Sequence, residues 1–376
     1  MNSPQLPPPE LIQNKDRLHW LVTKLLSQPR IAVDTESNSL FAYQERVCLI
    51  QFSIPENDYL VDPISLPSVM KLAPIFAHPE IEKVFHGAEY DLMCLKRDFN
   101  FTFTNVFDTR VACRALGREQ SGLRALLAEE LGVKVNKRYQ RANWGKRPLP
   151  SDMLDYARLD THYLLPLQDN LIEALRTTGT LEETREACVY LTKVDAHNHL
   201  FDPEGYWRIS NARKLTSRQM AVLRELYLYR DQKARHLDRP PFKVLGDKTL
   251  LAIAEAAPVD FKELSLLIGM TPRQIQRYGD GVLSAIARGG QAPSPKRPSH
   301  RPFDEGVHSR FEALHTWRKK AARLRKVESD VILPRDILWN IARAAPRDAK
   351  SLQKVMSPLE SRFQAYGRDI LKILWS

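Results

Sequence analysis

The run Ile31-Ala32-Val33-Asp34-Thr35-Glu36 decides how this chain folds. Small and β-branched apolar residues read as a short buried strand, and two carboxylates follow at its end. Residues i and i+2 of an extended segment point to one side, so Asp34 and Glu36 are aimed together. Carboxylates at an apolar strand end are costly unless they bind something. Further strand patterns lie at residues 47–52, 58–62 (ended by Pro63) and 83–86. Helical patterns cover residues 68–77, 89–97 and 110–116, and a long one runs from Ser151 or Asp152 to about Arg176. Asp108 or Thr109 is placed to cap the third of these. Strands followed by helices predict an α/β domain, a mixed sheet flanked by helices.

Two more acidic blocks stand out. His86-Gly87-Ala88-Glu89-Tyr90-Asp91 opens a helix at a strand end, and Tyr156-Ala157-Arg158-Leu159-Asp160 lies inside the long helical pattern. Tyr156 and Asp160 are four apart, so on a helix they share a face. Asp34, Glu36, Asp91 and Asp160 brought together would repel one another, and a pair of hard divalent cations, Mg²⁺ or Mn²⁺, is the usual remedy. Two such ions suit phosphodiester cleavage, with the Tyr156 hydroxyl positioning a water. His86 reads equally as a substrate contact and as a hydrogen-bonded structural histidine. Residues 132–150 are irregular and basic, and Lys137, Arg138, Trp144 and Arg147 within them are candidate contacts to a single strand through phosphate binding and base stacking.

Charge separates the halves. Residues 1–200 hold 23 Lys and Arg against 26 Asp and Glu, whereas residues 201–376 hold 33 against 19. A polyanion partner for the second half fits that asymmetry. The four cysteines are scattered without metal-ligand spacing and read as reduced thiols. The proline-rich first nine residues lack the plan of a signal peptide, and no apolar run approaches the ~20 residues of a membrane span. The expectation is a cytoplasmic protein with no membrane partner.

An offset of 88 residues exposes an internal repeat. Ala254-Glu255-Ala256-Ala257-Pro258-Val259-Asp260 aligns with Ala342-Arg343-Ala344-Ala345-Pro346-Arg347-Asp348, and Tyr278-Gly279 with Tyr366-Gly367. Two copies of one helical module are predicted, each with a helix ended at Ala-Ala-Pro. The Gly-, Pro- and Ser-rich stretch between them reads as a linker.

The acidic blocks resemble the three motifs of the DEDD superfamily of 3′→5′ exonucleases, in its tyrosine-bearing branch. Asp34-Thr35-Glu36 with residues 47–52 is similar to the first motif, residues 84–92 to the second, and Tyr156-Ala157-Arg158-Leu159-Asp160 to the third. Phe107-Asp108-Thr109 and Arg147-Pro148-Leu149 also sit where ribonuclease D proteins have similar residues, and the repeats resemble HRDC domains. One departure is Ala142-Asn143 before Trp144, where those proteins often carry Ser-Asp.

The resemblance implies a domain order: a tail at 1–20, an RNase H-like exonuclease domain at 21–200, all-α HRDC modules at 211–290 and 304–376, and a linker at 291–303. It implies a metal-dependent 3′→5′ exoribonuclease that releases 5′-mononucleotides from RNA with a free 3′ end, precursor tRNA above all. Asp34, Glu36 and Asp160 would hold the metal that activates water, Asp34 and Asp91 the second, and Tyr156 would orient the nucleophile. The residues leave open a 3′→5′ DNA exonuclease, since none of them reads a 2′-hydroxyl, and a non-catalytic nucleic-acid-binding protein of the same fold.

Overall fold

The computed structural model describes residues 6–136, 138–196, 201–296 and 304–375. Six strands, β1 (Glu10–Ile12), β2 (Arg30–Ser37), β3 (Val47–Ile54), β4 (Asn57–Val61), β5 (Glu82–Phe85) and β6 (Val106–Asp108), form one sheet in the order β1-β4-β3-β2-β5-β6. β3 is antiparallel to both neighbours, while β1–β4, β2–β5 and β5–β6 are parallel. The sheet is therefore mixed, as the strand and helix patterns predict.

Eight helices accompany it among the described residues: α1 (Lys15–Leu26), α2 (Ala73–Ala77), α3 (Glu89–Phe99), α4 (Thr109–Ala115), α5 (Leu123–Leu131), α6 (Ser151–His162), α7 (Leu164–Thr178) and α8 (Leu181–Leu191). Both faces of the sheet are covered. Ile31 and Val33 pack in one layer with Leu21, Leu92 and Leu95 of α1 and α3. Ala32, Val84 and Phe107 pack in the other with Cys113, Leu126 and Leu167 of α4, α5 and α7. Every residue of β3 is buried, as a central strand with two covered faces requires.

The expected tail at 1–20 is corrected by β1 and α1. Ile12 and Leu18 are buried, and Asn14 caps α1 by accepting from Arg17 N at 2.9 Å. The single long helix expected from Ser151 is two, α6 and α7, which meet at Tyr163.

The chain divides into two compact units: Met1–Ser37, Val47–His197 and Arg301–Ser376 in one, Asn38–Arg46 and Asn198–His300 in the other. The second unit holds the first repeat, with α9 (Ser217–His236), α10 (Pro241–Val244), α11 (Asp247–Ala256), α12 (Phe261–Ser265) and α13 (Pro272–Gln291). The second repeat has the same plan, with α14 (Glu305–Arg325), α15 (Ser329–Ile332), α16 (Arg335–Ala344), α17 (Ala349–Met356) and α18 (Glu360–Trp375). It packs within the first unit, where the backbone N–H and hydroxyl of Ser361 reach Glu186 of α8 at 2.7 and 2.8 Å.

The repeat holds in the backbone. α11 and α16 end at Ala257 and Ala345, left-handed with φ 45° and 43°, each followed by proline, and Asp260 and Asp348 then cap the next helix. Gln291, expected to begin the linker, is the last residue of α13. A side chain at Gly289 would meet the Val222 backbone, so glycine there lets α13 and α9 approach closely. Residues 297–303 of the expected linker lie outside the described residues.

Candidate active site

Strand alternation distributes the first acidic block between two layers. Ala32 faces α7, so Asp34 and Glu36 follow it to that side, whereas Thr35 follows Ile31 and Val33 toward α3. α6 lies over β3 and β4 on the Asp34 side. The Thr161 hydroxyl is 2.7 Å from that of Ser53, and the His162 Nδ1 is 2.9 Å from Asp58, whose carboxylate also accepts from Ser53 at 2.6 Å. With Ala157 and Thr161 buried, Tyr156 and Asp160 are turned toward the strand acids. Asp34, Thr35, Glu36, Tyr156 and Asp160 line one cavity of about 530 Å³, together with His86, Arg124 and Gln140.

Asp91 reaches the site from the other layer. It is buried on the first turn of α3 and accepts a short hydrogen bond from the Thr35 hydroxyl, without itself lining the cavity wall. The turn before α3 is clamped by β6 and the start of α4. Asp108 accepts from Gly87 N at 2.9 Å and Ala88 N at 2.7 Å, and also caps α4 through Arg110 N and Val111 N. The Thr109 hydroxyl donates to Phe85 O at 3.1 Å and lies 2.9 Å from His86 Nδ1. Gly87 sits at φ +77°, a backbone that glycine tolerates at low cost.

The acids are under electrostatic stress where they gather. Burial pushes Asp34 and Glu36 well above the ordinary carboxylate range, and the charges of Asp91 and Asp160 push both further. Burial raises Asp91 and Asp160 to about 7, against the Thr35 hydrogen bond at Asp91 and the positive charge of Arg124 at Asp160. The Tyr156 hydroxyl is also raised, by burial and then by Asp160 and Glu36. Burial lowers His86 to about 4, which leaves its imidazole neutral at pH 7.

Clustered carboxylates short of positive side chains fit hard divalent cations by their chemistry. Among the described residues no three His, Cys, Asp or Glu side chains form a closed ligand set, and Asp91 is turned to Thr35. The donor types therefore fit a cation pair.

The loop residues behave differently from expectation. Trp144 is 1% exposed and packs with Leu49, Leu60 and Ala157, behind Tyr156 at 6.3 Å between ring centroids, so it is core and no open stacking platform. Arg147 is consumed internally. It donates to both Asp62 carboxylate oxygens at 2.7 and 2.6 Å, to Cys48 O and to Trp144 O. Asp62 is fully buried, which alone would raise its pKa, yet Arg147 holds it well below the carboxylate range. Arg138 is exposed, 3.4 Å from Asp152 and over the Tyr139 ring. Lys137 lies outside the described residues.

Sequence reasoning missed Arg124, Thr35 and the His162–Asp58 pair that anchors α6. Arg124 carries no motif signal. Thr35 was legible, because alternation sends it to the face opposite Asp34 and Glu36.

A 3′-5′ exonuclease family model matches residues 9–176, and the HRDC domain model matches residues 219–286 and 307–374. The catalytic core of RRP6 from Trypanosoma brucei superposes with a TM-score of 0.68 at 31% identity, over 78% of this chain and 82% of that one. The chain belongs to the DEDD 3′-5′ exonuclease family, in the ribonuclease D-type arrangement with HRDC domains. Protein RRP6-like 1 of Arabidopsis thaliana is 34% identical over 303 residues, 77% of this chain and 48% of that protein. The chain thus spans about half the length of that relative. Escherichia coli RNase D, an exoribonuclease involved in structured RNA processing, shares the fold at a TM-score of 0.68 and 24% identity, over 95% of this chain and 99% of that one. No helix among the described residues is long and apolar enough to cross a membrane.

Proposed function

We propose that this protein is a metal-dependent 3′→5′ exoribonuclease that releases 5′-mononucleotides. The observation that carries the reading is the convergence of Asp34, Glu36, Asp160 and Tyr156 on one cavity, with Asp91 tied to Thr35 behind it. Asp34, Glu36 and Asp160 would hold one divalent cation, and Asp34 with Asp91 a second; Mg²⁺ and Mn²⁺ both suit all-oxygen ligands. When bound, such a pair lowers the pKa of water and neutralises charge on the phosphate in the transition state.

The protein's own side chains supply the remainder. The Tyr156 hydroxyl, kept protonated by burial and by Asp160, is a hydrogen-bond partner that can orient a water but does not take its proton at neutral pH. Its ring is held by Trp144 behind it and by Tyr139, whose ring lies edge-on at 5.8 Å between centroids. The finer reading names the 3′ ends of structured small RNAs, precursor tRNA among them, as substrates and the cytoplasm as the compartment. It draws on the family resemblance and on the HRDC modules. The relatives' RNA chemistry favours RNA over DNA.

The test is an exonuclease assay on a 3′-extended tRNA and on a matched DNA strand, with Mg²⁺, with Mn²⁺ and with EDTA. Mononucleotide release from RNA that EDTA abolishes is the expected result. Equal or faster digestion of DNA would reverse the substrate assignment, and activity in EDTA would remove the metal from it.

A further inference from the structure

Arg124 is the positive side chain on the cavity wall. The other described residues lining the cavity are acidic, neutral or apolar, His86 being neutral at pH 7. Arg124 stands one residue into α5, across from the helix that presents Tyr156 and Asp160. Its charge reaches both, opposing the rise that burial imposes on each. Yet among the described residues its guanidinium takes part in no hydrogen bond and no ion pair with those acids. This contrasts with Arg147, locked onto Asp62, and Arg114, locked onto Glu328 and Asp330.

A guanidinium beside a cluster of carboxylates, and not consumed by them, is available to an anion. The planar fork of arginine matches the non-bridging oxygens of a phosphate, and lysine keeps the charge without the fork. The anion that enters this cavity, if the exonuclease reading holds, is the phosphodiester at the RNA 3′ end. A guanidinium there would act beside the proposed cation pair in offsetting the repulsion between the acids and that phosphate.

We infer that Arg124 is a substrate-contacting residue that grips a non-bridging oxygen of the 3′-terminal phosphodiester and of the released 5′-monophosphate. The inference rests on the exonuclease reading for the first contact, and the second can be measured without turnover. Gripping the phosphate opposite Tyr156 would hold the scissile bond in line with the water that Tyr156 orients. It would also stabilise the charge that develops on that oxygen in the transition state.

The experiment compares Arg124→Ala and Arg124→Lys with the unaltered full chain. Arg124 is half-buried at the start of a helix, where alanine is a good helix former, so both variants should fold, and circular dichroism checks this. Binding of AMP and of adenosine is measured by calorimetry in the presence of Ca²⁺, and RNA hydrolysis with Mg²⁺. The expected result in Arg124→Ala is AMP affinity reduced about tenfold or more with adenosine affinity unchanged, the loss expected for one charge-assisted contact. Its kcat should fall with it, and Arg124→Lys should recover part of both. An unchanged AMP-to-adenosine preference in Arg124→Ala overturns the inference, whatever happens to turnover. If the unaltered protein hydrolyses no RNA, the exonuclease reading fails by itself, and the AMP measurement still decides whether Arg124 holds a phosphate.

Discussion

Thr35 and Asp91 tie β2 to α3 beside the active site: the hydroxyl of Thr35, whose side chain turns toward α3, donates to the Asp91 carboxylate. The bond fixes the one acid that does not line the cavity, and partly offsets the rise that burial imposes on it. Thr35→Val keeps the shape and removes the donor. Groups that orient metal ligands typically matter 10–100-fold. We expect Mn²⁺ affinity and kcat to fall by about that factor, with the melting temperature little changed. Electron paramagnetic resonance titration of Mn²⁺ reads the first, and unaltered Mn²⁺ binding would show Asp91 to be held by other means.

Asp160→Asn should reduce RNA hydrolysis to background while making the metal-free protein more stable. Asp160 folds with its pKa raised to about 7, above the ordinary carboxylate value of about 3.9, so the native state binds the extra proton. In EDTA the stability of the unaltered protein should therefore rise as pH falls from about 8 toward 5. It should be lost again as pH climbs through the folded value. The asparagine variant should show a flatter profile. Thermal melts across that range make the comparison, and parallel profiles would refute the electrostatic account.

Tyr156→Phe removes a hydroxyl and leaves the ring between Tyr139 and Trp144. The expected outcome is a kcat lower by on the order of 10²-fold with RNA affinity retained. Single-turnover kinetics with a separate binding titration distinguish the two. A rise in Kd equal to the loss in rate would make Tyr156 a binding residue.

Arg147→Ala tests the revised role of the basic loop. Removing one partner of a buried ion pair costs about 3–5 kcal/mol because the other charge is stranded, and here that charge is the fully buried Asp62. Urea denaturation should show a loss of that order. Folded protein at low temperature should still bind RNA, since Arg147 is already satisfied internally. A purely RNA-binding defect with normal stability would restore the substrate-contact reading.

Asp108→Ala should also destabilise, because four backbone N–H groups lose one carboxylate at once and each buried orphan costs about 1–3 kcal/mol. Asp108→Asn retains an acceptor oxygen and should lose less. Equal stability of the alanine variant would mean that water replaces the carboxylate in the clamp.

Much of this was legible because local periodicity is written in the chain. A spacing of two at Asp34 and Glu36 and of four at Tyr156 and Asp160 sets which side chains share a face, whatever packs around them. The 88-residue offset likewise announces two modules, down to the left-handed alanines before Pro258 and Pro346. The loop was less legible. Composition marked Trp144 and Arg147 as surface contacts to RNA, but burial depends on what covers a residue, and α6 with β3 and β4 covers these.

By itself, then, the sequence determined the strand and helix pattern, the pairing of acids within each block, and the repeat, all consequences of backbone geometry over a few residues. The tertiary structure alone decided that Asp91 meets Thr35, that Trp144 and Arg147 face inward, and that Arg124 lines the acids' cavity with no hydrogen bond or ion pair to them among the described residues. Those outcomes depend on how distant segments pack, and neither residue type nor spacing encodes which neighbour will arrive.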